Sequence, residues 1–185
     1  MPTLAVFIDG ESFALECRRT HNAQPDYREL ARLVARRWNH ALGPVYFYSC
    51  ESPNPAVQER QRRFWRAQEA KGITLKFGRM EPNHSGGGHR QKEVDVMIAC
   101  DLLTGAFRRS FDRAALVSGD TDFGYAIERA TELGVEVGWV YLPSQEHLDR
   151  LKDLVPPDRR FLVDSKTFRL VRERAPALYP QRPRR

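Results

Sequence analysis

Apolar positions along this chain follow two periods that alternate from one end to the other. Short, strand-like apolar runs of the kind buried in a parallel sheet fall at residues 3–8, 45–50, 73–80, 113–120, 135–142 and 160–164. Between them, apolar residues recur at helical spacing over residues 25–42, 54–72, 92–107, 121–134 and 144–154. This alternation predicts an α/β fold, a doubly wound, mostly parallel sheet with helices on both faces.

One segment breaks both periods. Residues 81–91 (EPNHSGGGHRQ) predict a long loop, either a mobile flap or a disordered connection. Its two histidines, His84 and His89, lack the further Cys or His neighbours that a zinc site needs.

The composition, with 41% hydrophobic and 29% charged residues, is that of a globular domain. No apolar run approaches the roughly 18 residues that would span a membrane, and no basic-then-apolar leader opens the chain. Three distant cysteines, Cys17, Cys50 and Cys100, favour reduced thiols buried as small core residues. We therefore expect a cytoplasmic protein.

The positive charge is concentrated at one end of the chain. Residues 166–185 hold seven basic residues and one acid, which accounts for the whole net charge of +6. This predicts a domain over residues 1–165 and a basic, proline-containing tail over 166–185. Such a tail suits either a polyanion such as RNA or simple solubility.

Acidic residues follow two of the predicted strands and begin one helix. Asp9 ends the first strand, Asp120 and Asp122 follow the fourth, and Asp95 lies near the start of the helix at 92–107. The carboxyl ends of neighbouring parallel strands meet at one edge, so these carboxylates would converge there and repel unless a cation such as Mg²⁺ or Mn²⁺ neutralised them. Separate turns and helix caps would explain each acid singly.

Three segments also carry a family resemblance. VFIDGESF, KEVDVMIACDLL and LVSGDTDFGYAIERATELGVEV, in this order between about residues 3 and 142, resemble the NYN domain, in the LabA-like branch of the PIN-like nuclease superfamily. The resemblance implies a metal-dependent ribonuclease that hydrolyses RNA to 5′-phosphate and 3′-hydroxyl ends. It places Asp9, Asp95, Asp120 and Asp122 at the catalytic, metal-binding positions.

Two positions depart from the family pattern. Ser12 stands where the family usually has asparagine, and Glu93 where it often has glycine. Either change could lower activity.

Supporting roles are expected for four residues. Ser12 would contact metal-bound water or phosphate, and Asp101, on another face of its helix from Asp95, would orient a neighbour or anchor the helix. Lys92 is either a phosphate contact or a solvated lysine, and Ser118 either bonds Asp9 or a metal-bound water or serves the turn alone.

The helix at 54–72 is the candidate RNA-binding surface. Its arginines suit phosphates and an exposed aromatic ring suits base stacking in single-stranded RNA. The candidate residues are Arg60, Arg63, Trp65 and Arg66. A solvated surface helix with no ligand is the plain alternative.

Two other functions stay open. A PIN-like fold can serve as an RNA-binding or regulatory module with little or no activity, alone or with a second copy or protein partner. A haloacid-dehalogenase-like phosphatase also has acids at strand ends, but DGE at 9–11 and GDTD at 119–122 depart from its spacing.

Overall fold

The computed structural model describes residues 1–82 and 88–173. Within them the chain alternates between strands and helices. The strands are β1 (Thr3–Asp9), β2 (Ala41–Cys50), β3 (Thr74–Pro82), β4 (His89–Lys92), β5 (Arg113–Val117), β6 (Glu136–Tyr141) and β7 (Arg160–Leu162). The helices are α1 (Gly10–His21), α2 (Tyr27–Arg37), α3 (Pro55–Ala70), α4 (Val94–Phe107), α5 (Gly124–Glu132), α6 (Asp149–Leu154) and α7 (Ser165–Val171).

The strands form one seven-stranded sheet in the order β4-β3-β2-β1-β5-β6-β7. Every pairing is parallel except the antiparallel β3–β4 hairpin. The chain builds outward from β1 to one edge and then crosses back to β5 and the other edge. The predicted α/β fold with a mostly parallel sheet is therefore confirmed, and the strand order changes direction between β1 and β5.

Hydrophobic cores lie on both sides of the sheet. On β1, Leu4, Val6 and Ile8 belong to a core with α1, α2, α3 and α7, while Ala5 and Phe7 belong to a second core with α4, α5 and α6. Successive residues of a strand point to opposite faces. The helices therefore cover both faces, with α3 and α4 on opposite sides.

The structure corrects the predicted boundary between the second helix and the second strand. The helix ends at Arg37. Residues 41 and 42, predicted to be helical, and Gly43 and Pro44 after them belong to β2 instead. Asn39 adopts the left-handed conformation (φ 56°) that stops the helix. Gly43 and Pro44 are accommodated where the β1–β2 register shifts between Leu4 and Val6.

Three further elements were absent from the predicted set: α1, β4 and α7. α1 follows β1 without a connecting residue, and β4 lies in the segment predicted to be a loop. His89 belongs to β4, whereas His84 falls outside the described residues. The helix predicted over residues 144–154 is shorter, because a 3₁₀ turn at Pro143–Gln145 precedes α6.

The last described helix belongs to the core. Phe168 and Val171 of α7 are buried with the α1–α2 side of the sheet. The division at residue 165 stays a prediction, and residues 174–185 of the predicted tail lie outside the described part of the chain. Among the cysteines, Cys17 and Cys50 are buried as expected, but Cys100 is exposed on α4. No described helix has the length and apolar character required to cross a bilayer.

Candidate metal centre

Asp9 lies at the carboxyl end of the central strand and is 5% exposed. It is also the N-cap of α1, where its Oδ1 accepts a hydrogen bond from the backbone N–H of Ser12 (3.3 Å). Its Oδ2 accepts a hydrogen bond from the hydroxyl of Ser118 (3.0 Å). These two bonds orient a carboxylate that the surrounding core largely shields from water.

The loop after β5 lies directly beside Asp9 because Ile8 pairs with Val117 in the parallel register. The Ser118 hydroxyl, which donates to Asp9, also accepts a hydrogen bond from the N–H of Asp120 (3.1 Å). Asp120 in turn accepts from the N–H of Asp122 (2.8 Å) and caps the 3₁₀ turn that leads into α5. The alternative of a turn is thus correct for Asp120, whereas the cap expected from Asp122 is absent because no side chain caps α5. The same loop also brings Asp120 near enough to Asp9 to repel its carboxylate.

A buried glutamine packs against this loop. The sequence pattern did not indicate this contact. Gln145 is 8% exposed, and its side-chain oxygen accepts a hydrogen bond from the N–H of Leu142 (2.9 Å). A Cβ added at Gly119 would lie 1.9 Å from Gln145 Nε2. The glycine before Asp120 therefore lets the loop approach Gln145 closely.

Asp95 joins the group from the first turn of α4. The segment before α4 is held by the β3–β4 hairpin, whose Gln91 side chain hydrogen-bonds the carboxylate of Glu11 on α1. Asp95 itself is solvent-exposed. Asp95 is therefore the exposed member of the group and Asp9 the buried one.

Burial, and after it repulsion between carboxylates, changes the proton affinity of two of these acids. Burial raises the pKa of Asp9 from 3.8 to about 6, against the lowering effect of its bonds to Ser118 and Ser12, and repulsion from Asp95 and Asp120 raises it further. The pKa of Asp95 is also raised, first by loss of hydration and then by Asp120 and Asp122. The structure thus brings all four predicted acids into one electrostatic environment.

This environment suits a hard divalent cation in its chemistry, since carboxylate oxygens are the preferred ligands of Mg²⁺ and Mn²⁺. A cation would also relieve the repulsion that raises the two pKa values. Within residues 1–82 and 88–173, however, no three His, Cys, Asp or Glu side chains stand close enough together to form a ready-made metal site. The acids are therefore of the right type and in the right part of the sheet to bind a cation. Their side chains would have to move closer together to bind one.

The two departures from the family pattern have different surroundings. Ser12 is exposed and contributes its backbone N–H to Asp9. Glu93 has φ 75°, in the left-handed region that favours glycine, and its carboxylate pairs with Arg79 (2.6 Å). A backbone requirement thus explains why glycine suits this position, and the extra acid is held by an arginine of the hairpin.

We expect Glu93→Gly to raise the free energy of unfolding by about 1 kcal/mol, because glycine adopts this backbone conformation without strain. The exposed pair with Arg79 offsets little of that gain. Urea denaturation measures the effect. Glu93→Ala is the matched control, because it also removes the ion pair but keeps the unfavourable φ, and it should give no gain. Equal stability of the two variants would contradict a backbone origin.

Of the remaining supporting residues, Ser118 lies at the acidic group and Asp101 anchors its helix. Ser118 contacts Asp9, as described, whereas Asp101 accepts hydrogen bonds from Tyr48 Oη and Lys76 Nζ, both at 2.7 Å. Asp101 thereby ties α4 to β2 and β3, through two partners that the sequence pattern did not indicate. Lys92 is half-buried at the end of β4.

The candidate RNA-binding helix differs from expectation at its aromatic residue. Trp65 is only 6% exposed and packs against Phe77, with ring centroids 4.5 Å apart, so the expectation of an exposed base-stacking ring is wrong. Helical periodicity set Trp65 off the buried face, but β3 covers that side of α3. Arg60, Arg63 and Arg66 are exposed, and Arg63 pairs with Glu59 (3.1 Å). They lie on the opposite side of the sheet from α4 and Asp95.

Comparison with known protein families shows which family this chain belongs to. The model of the NYN domain matches residues 3–155. The chain belongs to the NYN domain family. That match covers the three motifs, all four acids and the sheet except β7. Members of the NYN family are generally nucleases, typically use divalent metals and typically bind RNA.

The fold is shared with a solved structure. A crystal structure of a protein of unknown function from Vibrio parahaemolyticus, VPA0982, superposes with a TM-score of 0.73, covering 93% of this chain and 96% of that one. The two sequences are 21% identical, so the likeness concerns the fold alone. A comparison with curated proteins gives no significant match.

Proposed function

We propose that this NYN domain is a metal-dependent endoribonuclease of the PIN-like type, with a doubly wound sheet. The observation that carries the proposal is the convergence of Asp9, Asp95, Asp120 and Asp122 at the strand-order change, with the pKa of Asp9 raised to about 6. Ligands of open α/β sheets bind at such a position. A cluster of mutually repelling carboxylates there, in a family of nucleases, favours a cation and a phosphodiester substrate.

In this proposal the four aspartates hold one or two Mg²⁺ or Mn²⁺ ions. When bound, such an ion lowers the pKa of an attacking water and neutralises charge that develops on the phosphate. Asp9 would hold the ion as its carboxylate, and the Ser118 hydroxyl and Ser12 N–H keep its oxygens oriented. Asp95 lies on the exposed side, where a phosphodiester can enter.

Single-stranded RNA is the proposed substrate, held by basic surface. Arg60, Arg63 and Arg66 are exposed and would meet phosphates, Arg63 by exchanging its ion pair with Glu59, although their helix lies on the other face of the sheet from Asp95. In the sequence, the basic residues of 166–185 supply further positive charge for RNA. Affinity supplied in this way falls with rising salt concentration.

We expect end-labelled single-stranded RNA to be cleaved in Mn²⁺ or Mg²⁺ and to stay intact in EDTA. Asp120→Asn should lower the rate by at least about 100-fold, since loss of groups that merely support metal ligands already costs 10–100-fold. Asp153→Asn, an exposed acid on α6, is the matched control and should cleave as the wild type does. Wild-type activity in Asp120→Asn would exclude the proposed site.

A second candidate function is supported by the absence of a ready-made metal cluster in the described residues. In that case the domain binds RNA without cutting it. RNA binding that persists in EDTA, with no cleavage in either metal and equal affinity of Asp120→Asn, would favour this module. The phosphatase alternative has no comparable support, because the match to the NYN model includes the acid-bearing segments.

A further inference from the structure

The acidic loop, residues 119–124, has polar side chains packed against both of its ends. The loop follows β5 and carries Asp120 and Asp122. β6 pairs beside β5 in parallel, so the segment after β6 leaves the sheet at the same edge as the loop. Two side chains of that segment, Gln145 and Arg150, lie against the glycines that border the two aspartates. Both are hydrogen-bond donors next to the proposed metal centre.

Gln145 has one end of its amide bonded inside the protein and the other end free. The side chain is 8% exposed, and its Oε1 accepts a hydrogen bond from the N–H of Leu142 (2.9 Å). That bond identifies Nε2 as the amino end, and Nε2 lies against Gly119. In the described part of the chain no acceptor bonds Nε2, and this nitrogen is not one of the buried atoms that lack a partner. Its N–H bonds are therefore open to solvent beside the acidic loop.

Arg150 lies at the other end of the loop. It is exposed on α6, and Nε of its guanidinium would overlap a Cβ added at Gly124, two residues after Asp122. Its neighbour Asp149 pairs with Lys152 instead. Within residues 1–82 and 88–173, no carboxylate forms an ion pair with Arg150. The guanidinium is therefore an available cation on the side of the sheet that also carries α4.

A phosphate group fits this pair of donors. Phosphate oxygens accept hydrogen bonds from both side chains, and arginine and glutamine are common contacts to nucleic-acid backbones. Gln145 differs from an ordinary solvated surface group, because Leu142 fixes its orientation before any ligand binds and so lowers the entropic cost of binding. The exposed arginines of α3 lie across the sheet and cannot serve this side of the loop.

We propose that Gln145 and Arg150 bind a phosphate of the RNA backbone next to the one that is cut. This inference rests on the proposed ribonuclease function and adds to it the path of the substrate, across the acidic loop toward the segment after β6. A phosphate contact of this kind fixes the register of the strand at the metal centre without reading its sequence. Gln145 donates from Nε2, and Arg150 supplies positive charge.

Fluorescence anisotropy with labelled single-stranded RNA in EDTA tests the arginine. We expect Arg150→Gln to bind about tenfold more weakly at low salt. The slope of log affinity against log salt concentration should fall by about 0.7, the share of one phosphate contact on a single strand. Arg36→Gln is the matched control, since Arg36 is an exposed arginine on α2, across the sheet from α6, and should bind as the wild type does. In Mn²⁺, Arg150→Gln should raise the KM for cleavage with little change in kcat.

Gln145→Glu tests the donor, because it keeps the shape of the side chain and the acceptor for Leu142 but replaces the amino group by an anionic oxygen. We expect RNA affinity to fall by about tenfold or more. Ser144→Glu is the matched control, since it adds the same charge at an exposed position of the same 3₁₀ turn and should weaken binding by only about twofold. Circular dichroism checks that the variants fold.

The outcomes separate the phosphate contact from the nuclease activity. Wild-type RNA affinity in both Arg150→Gln and Gln145→Glu would overturn the contact and leave the nuclease proposal standing. Weaker binding in both variants, with no cleavage in Mn²⁺, would support the contact and overturn the nuclease. Equal losses in Gln145→Glu and Ser144→Glu would overturn the role of the amide. A wild type that binds no RNA in EDTA or in Mn²⁺ would overturn both proposals.

Discussion

Asp9→Asn is expected to abolish metal-dependent RNA cleavage while making the metal-free protein more stable at neutral pH. Asp9 is buried, and burial together with Asp95 and Asp120 raises its pKa from 3.8 to about 6 in the folded state. Its ionised form is therefore tolerated less well in the folded protein than in the unfolded chain. Asparagine has nearly the same shape and carries no charge to bury.

The sign of the pH dependence follows from the raised pKa. Well below pH 3.8, Asp9 is protonated in both states and does not affect stability. As pH rises from about 4 to about 6, the unfolded chain ionises first and the folded protein loses stability, by about 3 kcal/mol in all for a shift of roughly two pH units. Asp9→Asn lacks this loss. Because an amide replaces only one of the two hydrogen bonds well, we expect a net gain of about 1–3 kcal/mol above pH 7.

Urea denaturation in EDTA from pH 4 to pH 8 measures this difference. The stability of wild type relative to Asp9→Asn should fall across the range and level off above pH 7. Asp153→Asn serves again as control and should follow the wild-type curve. Parallel curves for wild type and Asp9→Asn would contradict a raised pKa of Asp9 in the folded protein, whatever the RNA assay shows.

Gly10→Ala is expected to lower the free energy of unfolding by about 3 kcal/mol, at the upper end for overpacked cores. An added Cβ would lie 2.3 Å from the ring of Phe47 and 2.6 Å from the carbonyl oxygen of Tyr48. Phe47 is fully buried, and the Tyr48 carbonyl belongs to the sheet backbone. Neither can retreat without disturbing β2, so Asp9 would also be displaced.

Thermal or urea denaturation shows the size of this effect. Gly72→Ala is the comparison, since its φ is 78° but no atom lies within 4 Å of its added Cβ. It should cost only about 1 kcal/mol, the ordinary cost of a left-handed alanine. If the two variants lost equal stability, close approach of β2 would not be the reason for glycine after Asp9.

The meeting of the acids was predictable because it depends on topology. A parallel sheet places the ends of neighbouring strands at one edge, so Asp9 after β1 and Asp120 after β5 had to be close once those strands paired. The position of Asp95 near the start of a helix was predictable from the helical spacing of apolar residues. The predicted apolar runs also correspond to six of the seven described strands.

The parts that escaped prediction depend on contacts between distant segments. α1 begins on Asp9 itself and has a mostly polar outer surface, so its period is weak in the sequence. β4 is only four residues long and is defined by pairing with β3. Trp65 is buried by Phe77 of β3, and Gln145 is placed by Leu142 and Gly119. None of these partners can be found from local periodicity.

The Ser118–Asp9 hydrogen bond joins residues 109 positions apart, with β2, β3 and the hairpin between them. Closing so long a stretch of chain costs conformational entropy before the contact forms. Such pairings are therefore slow to form. During synthesis the ribosome must release β5 before Asp9 can meet Asp120. The unfinished chain is therefore without its acidic group until β5 and the loop after it have been made, and the cleavage that we propose would appear only together with the central sheet.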